Sequence, residues 1–295
     1  MKLGRLGVWS MTDGMTAAAA AAFARRVEKL GYSALWVPES VGRNVLVHVS
    51  WLLANTETLV VATGIANIYG RDAVAMASAQ LALNEQSNNR FLLGLGVSHV
   101  HLVEALRGHH YAKPVATMRS YLDAMSRGNY QAPKPSQPSL TVLAALGPKM
   151  LALAAERADG AHPYLITPEH TAAARAILGP GKLLCPEQKV LLESDPVKAR
   201  SAARKAIRRY LSLPNYCNNL LRLGFIDADF ADGGSDRLVD ALVAWGDEAA
   251  IRLRIQQHWD AGADHVGIQA VNPDESKYML PDENLLAMLA PAATG

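Results

Sequence analysis

Residues 6–37, LGVWSMTDGMTAAAAAAFARRVEKLGYSALWV, hold one complete structural repeat, and its reading sets the fold. Leu6 to Trp9 is a short apolar run of strand length. Ala17 to Leu30 follows as a helix that places Phe23, Val27 and Leu30 on one side, and Gly31 ends it. Ala34 to Val37 then supplies a second short apolar strand. Both strands lack a polar face, which predicts burial on both sides, as in a parallel sheet covered by helices.

The same alternation continues outward from this unit. Val45 to Asn55 and Ala73 to Glu85 are predicted helices, with strands at Leu59 to Ile65 and Phe91 to Leu95. Leu140 to Ala145, a helix from Pro148 to Ala158, and Ala161 to Ile166 keep the order, and Lys182 to Leu192 and Asp264 to Val271 supply the last two strands. Eight strands separated mainly by helices favour a closed parallel (β/α)8 TIM barrel in the α/β class over an open doubly wound sheet. A length of 295 residues fits one such barrel, so residues 1–295 are expected to form a single domain. The turn-rich stretch Tyr130 to Pro138 is expected to cross its outside. Residues 214–243 exceed an ordinary connection and read as an insertion before the last helix and strand, placed to cover the mouth or to form an oligomer contact.

Composition excludes several classes. Twenty-nine Lys plus Arg against 27 Asp plus Glu leave a net charge of +2, too balanced for a dedicated nucleic-acid surface. No uninterrupted apolar run reaches the roughly 18 residues of a membrane helix, and no signal segment develops after the first residues, so a cytoplasmic protein is expected. Cys185 and Cys217, the two cysteines, make neither a disulfide framework nor a metal knuckle, and the scattered histidines imply no metal. Gly94 and Gly96 fall short of a dinucleotide fingerprint, and Gly179-Pro180-Gly181-Lys182 lacks phosphate-loop spacing.

Five segments carry a resemblance that spans most of the chain: SALWVPES (33–40), ATGIANIYGRD (62–72), RFLLGLGVSH (90–99), AALGPKM (144–150) and AGADHV (261–266). With them the chain resembles the luciferase-like monooxygenase superfamily, in particular its actinobacterial branch of coenzyme F420-dependent oxidoreductases. The resemblance implies a luciferase-like barrel holding an elongated deazaflavin, or FMN, at the C-terminal mouth, with the ring inward and the phosphate near backbone donors. It implies hydride transfer between deazaflavin and a small-molecule substrate, and a homodimer. FMN-dependent monooxygenation and nonenzymatic flavin or deazaflavin binding are the alternatives. In related proteins the strand equivalent to residues 63–67 can carry a non-prolyl cis peptide, which here would fall around Gly64, Ile65 and Ala66.

Candidate residues follow from loops that converge at that mouth. Glu39, after the second strand, is expected to orient the ring through water or to move a proton; Ser40 stands where related enzymes often place a histidine, so their acid–base scheme does not carry over whole. His99 is the second catalytic candidate because imidazole exchanges protons near neutrality. Cofactor contacts are expected from Glu39, from Gly64, Ile65, Ala66 and Asn67, from Gly96, Val97 and Ser98, and from Gly147, Pro148, Lys149 and Met150, where a helix start offers free amides to phosphate. Trp9, His109, His110 and Tyr164 are substrate-pocket candidates, Arg71 awaits a phosphate, a carboxylate tail or a nearby acid, and His162 and His265 read as packing residues.

Overall fold

In the computed structural model, which describes residues 1, 3–274, 277 and 280–291, strand and helix alternate as the repeat predicts. The elements are β1 (Leu6–Trp9), α1 (Ala17–Lys29), β2 (Ala34–Val37), α2 (Val45–Ala54), β3 (Val60–Thr63), β4 (Ala66–Asn67), α3 (Ala73–Gln86), β5 (Phe91–Gly96), α4 (Pro114–Ser126), β6 (Thr141–Leu143), α5 (Pro148–Arg157) and β7 (Gly160–Ala161). They continue as α6 (Pro168–Leu178), β8 (Leu183–Leu184), β9 (Glu187–Leu192), α7 (Pro196–Ile207), α8 (Pro214–Arg222), α9 (Asp236–Leu242), β10 (Val243–Gly246), α10 (Glu248–Asp260), β11 (Val266–Ala270) and α11 (Glu283–Met288). Short polar side chains start the helices where the pattern places them: Thr16 caps α1, Asp72 caps α3 and Asp247 caps α10, each accepting a hydrogen bond from a first-turn amide.

All pairings are parallel, in the order β10-β9-β11-β1-β2-β3-β5-β6-β7-β8, with β4 beside β5. The ring closes through one segment. The amides of Leu183, Cys185 and Glu187 donate to the carbonyls of Asp159, Ala161 and Pro163 on one side, while the carbonyls of Leu184 and Pro186 accept from Asp264 and Gly267 on the other. Counting β3 with β4 and β8 with β9 as single staves yields the eight-stranded barrel. β10 is an addition. It pairs with β9 from Val243↔Lys189 to Gly246↔Leu192, in the lane that the sixth stave vacates beyond Pro163.

Side chains alternate across the wall with a period of two. Trp9, Ala34, Trp36, Val60, Ala62, Leu92, Val142 and Cys185 form a cluster inside the barrel, while Val8, Leu35, Val37, Val61, Phe91, Leu93 and Leu95 join the layer under the helices. A third cluster, including Leu191, Ile207, Tyr210, Leu220, Leu238 and Val243, packs α7, α8 and α9 together. Leu165 and Leu191, at the C-terminal ends of staves, belong to it, so residues 214–243 lie over part of the mouth.

Candidate active site at the barrel mouth

The peptide Gly64–Ile65 is cis, inside the window the family resemblance implies. Between β3 and β4 the chain leaves the wall, and Gly64 and Ile65 are partly exposed at the mouth. Neighbouring residues are shaped to this detour. Thr63 Oγ1 donates to the Gly94 carbonyl at 2.8 Å and accepts from the Gly94 amide at 2.8 Å. A Cβ on Gly94 would lie 2.0 Å from the Thr63 carbonyl oxygen, and one on Gly96 would lie 2.4 Å from Ile65 Cδ1. Gly96, expected to let a cofactor approach its backbone, is instead buried and makes room for the Ile65 side chain; Val97 and Ser98, just beyond, are partly exposed.

Glu39 is held by protein. Its Oε1 accepts from Arg71 Nη2, and its Oε2 accepts from Arg71 Nη1 at 3.1 Å and from the Asn67 amide at 2.8 Å, with the carboxyl side chain 5% exposed. The nearby acid is thus the partner Arg71 meets. Asn67 is buried as well, its Oδ1 accepting from the Tyr69 amide, and Ala66 is fully covered. Together Glu39, Arg71 and Asn67 tie the end of β2 to the far side of the detour.

The opposite side of the barrel holds a polar cluster that local sequence reading missed. Glu187 and Lys189, two apart on β9, turn inward and pair at 3.0 Å with side chains 0% and 1% exposed. Lys189 Nζ also donates to Tyr164 Oη at 2.8 Å and to Gln269 Oε1 at 3.0 Å, and Tyr164 Oη meets Tyr210 Oη at 2.8 Å. Burial raises the Tyr164 hydroxyl well above its ordinary pKa, so it stays a proton-bearing group. The ring of Trp9 lies 5.0 Å from Tyr164, and Tyr210 contacts Tyr216, which in turn faces His99 at 5.9 Å. The aromatic row crosses the mouth from β1 to the loop after β5, bringing the candidates Trp9, Tyr164 and His99 together. Burial first, then the neighbouring His101, lowers the pKa of His99, partly offset by a hydrogen bond with Asn215.

His162 stacks on Trp36 at 4.2 Å, and its Nδ1 faces the Cys185 carbonyl at 2.6 Å, which makes Nδ1 the protonated nitrogen. Burial pushes its pKa down to about 4. His162 Nε2 and Trp9 Nε1 are buried without a partner among the described residues, and both point at Gly64: a Cβ there would sit 3.0 Å and 2.6 Å from them. His265 accepts from Trp36 Nε1 at 3.0 Å and packs at the closed end, as expected.

Gly147 caps α5, with Pro148 at its first position. Lys149 is exposed and Met150 is buried beneath the helix. A Cβ on Gly147 would lie 3.6 Å from the Arg222 guanidinium, which has no ion-pair partner among the described residues. Arg222 comes from α8, so only the folded segment 214–243 reveals a second cation here. His109 and His110 depart from expectation: both are exposed on the loop before α4, His110 at 84% beside Glu104, away from the cavity at the mouth. That cavity, about 550 Å³, is walled by Trp9, Tyr210 and Gln269 among others. Among the described residues no three His, Cys, Asp or Glu side chains are grouped to hold a metal, and no helix is long and apolar enough to cross a membrane.

Comparison with known proteins places this architecture. A Mycobacterium tuberculosis protein named provisionally as a coenzyme F420-dependent oxidoreductase is 31% identical over 199 residues, 57% of this chain and 56% of its own length. The chain spans about half the length of the curated relatives it matches. An F420-dependent secondary alcohol dehydrogenase, solved with an F420–acetone adduct, superposes with a TM-score of 0.77 at 14% identity, covering 98% of this chain and 100% of that one. The oxygenating constituent of 3,6-diketocamphane monooxygenase from Pseudomonas putida, solved with FMN, superposes at 0.68 and 13% identity, covering 98% and 99%. These low identities speak for the fold. The family model for luciferase-like monooxygenases matches residues 1–179, and the chain belongs to that family.

Proposed function

We propose that the protein is a coenzyme F420-dependent oxidoreductase of the cytoplasm, moving a hydride between deazaflavin and a small organic substrate. The observation that carries this reading is the Gly64–Ile65 detour, partly exposed at the mouth and sharing Trp9 with a 550 Å³ cavity, so that a flat ring and a substrate have adjoining places. Similarity to the mycobacterial relative supports deazaflavin as the group. The residues fit it: Gly64, Ile65, Val97 and Ser98 offer a surface at the ring's place, while the α5 amino end, Lys149 and Arg222 offer donors and positive charge to a phosphate. Bound deazaflavin would supply the hydride chemistry.

The chain's own contribution is shape and proton placement. Glu39 and Arg71 act as positioning residues that hold the detour. His99, kept toward its neutral form by burial, suits taking a proton from a substrate that is being oxidised. Tyr164, fixed by Lys189 and Gln269, packs behind Trp9 and Tyr210, two residues that line the cavity. Exposed Val47 and Trp51 on α2 and Val74 on α3 give the homodimer an apolar contact to use.

Anaerobic titration with oxidised and reduced F420, beside FMN, tests the reading. Binding of F420 at least tenfold tighter than FMN, with substrate-dependent bleaching or recovery of the deazaflavin absorbance, is the expected result. Tighter FMN with oxygen consumption would replace it by monooxygenation, and deazaflavin binding without turnover across a substrate panel would leave a carrier.

A further inference from the structure

The 550 Å³ cavity has a mixed lining. Trp9, Met11, Leu280 and Pro281 give it apolar surface, and Arg208 and Arg209, directly after α7, give it positive charge. One and two turns earlier on α7, Arg204 and Arg200 are neutralised by Asp236 and Asp240 of α9. Arg208 and Arg209 meet no carboxylate among the described residues, and no described residue lining the cavity is acidic. Arg209 is oriented without being neutralised: it donates to Tyr210 Oη, lies 4.7 Å from that ring and touches Met11 Sδ at 3.7 Å. Trp9, whose Nε1 abuts Gly64, separates this cavity from the detour by one indole.

We infer that the cavity receives an organic acid, its apolar body on Trp9, Met11 and Leu280 and its anionic group on Arg208 and Arg209. Planar guanidinium forks bind a carboxylate or phosphate through paired N–H donors, and apolar side chains lining the same cavity select a ligand with its charge at one end. Calling this ligand the substrate rests on the function proposed above; its acidic character does not.

Calorimetric titration of the full chain with 2-naphthoate and with neutral 2-naphthamide tests the inference. Naphthoate is expected to bind at least tenfold tighter, and the gap to fall below threefold in Arg208→Gln/Arg209→Gln. Leu280→Glu, which puts a carboxylate on the apolar rim and leaves α7 untouched, should weaken naphthoate at least tenfold with a smaller effect on naphthamide. Equal affinities in the unmodified protein, or a gap that survives both variants, would overturn the inference. A further arm compares F420 with its phosphate-free, tail-free nucleoside form on the double variant: a selective tenfold loss for F420 assigns the arginines to the cofactor's tail and overturns the substrate assignment. Naphthoate discrimination that persists in a protein that binds no deazaflavin would sustain the acid pocket while the proposed function falls.

Discussion

On β3 and β5 the side chains turned into the barrel are Val60, Ala62 and Leu92, with Gly94 and Gly96 continuing the row, whereas β9 and β11 turn Glu187, Lys189 and Gln269 inward. The first half makes its site by omission: side chains are absent where the Gly64–Ile65 detour needs volume. The second half makes its site by charge, using a fully buried ion pair to fix two tyrosine hydroxyls at the mouth. A partly exposed stretch of backbone and an ordered buried polar cluster thus come from opposite sides of one barrel.

Breaking the charged half should cost most. Lys189→Met leaves the Glu187 carboxylate buried without its cation, and a loss of about 3–5 kcal/mol is expected in urea unfolding. Adding Glu187→Leu should recover most of it, because the desolvated charge is then gone; a single-variant loss below about 1 kcal/mol would show that water reaches the pair. The glycine half should respond to added volume. Gly94→Ala, aimed at a carbonyl oxygen, is expected to cost about 3 kcal/mol, and Gly96→Ala, aimed at the movable end of Ile65, about 1 kcal/mol. Equal losses would mean that the two positions are not shaped by the same detour.

Acid sharpens the comparison further. Burial lowers His162 and His265 to about 4 and His258 to about 3, each below the ordinary 6.5. These rings are neutral in the fold, while the unfolded chain takes up protons once the pH drops below 6.5. Their contribution is therefore whole above about pH 6.5 and declines as the pH falls toward 4, by up to about 1.4 kcal/mol per pH unit and histidine. Unfolding followed from pH 7 to 4.5 should show this slope, reduced by one proton in His162→Gln. The smallest effect belongs to the exterior: Glu283→Gln removes the Arg26 partner between α1 and α11, both half-exposed, and should cost less than about 1 kcal/mol. A larger loss would show that exposed pairs on this fold matter as buried ones do.

Much of the fold is legible locally. β1 and β2 match their sequence ranges residue for residue, and Gly31, at a positive φ of 82°, ends α1 as expected. Apolar strands between amphipathic helices carry their own period, so no tertiary information is needed. Ala161 to Ile166 shrinks to β7 because Pro163 has no amide to donate and Leu165 adopts a positive φ of 56°. Pro186 likewise divides Lys182 to Leu192 into β8 and β9. β10 escapes notice because Val243 follows α9 without a turn, and only pairing with β9 makes it a strand. At the site, the cis peptide at Gly64–Ile65 falls where the resemblance marked it, while Gly147 and Tyr164 follow β6 and β7 as their loop positions suggest. The Glu187–Lys189 pair could not be placed in this way: two charges two residues apart normally mark a solvent face, and closure of the ring inverts that meaning.

That closure also sets an order of events during synthesis. β1 emerges first, yet one of its two neighbours, β11, is made last, with Leu6 paired to Val266. At roughly 5–20 residues per second the nascent chain spends on the order of tens of seconds with an unpaired β1 edge. The edge is apolar on both faces, the kind of strand that recruits other chains. Efficient expression of this barrel therefore depends on keeping its first strand sheltered until β11 has left the ribosome.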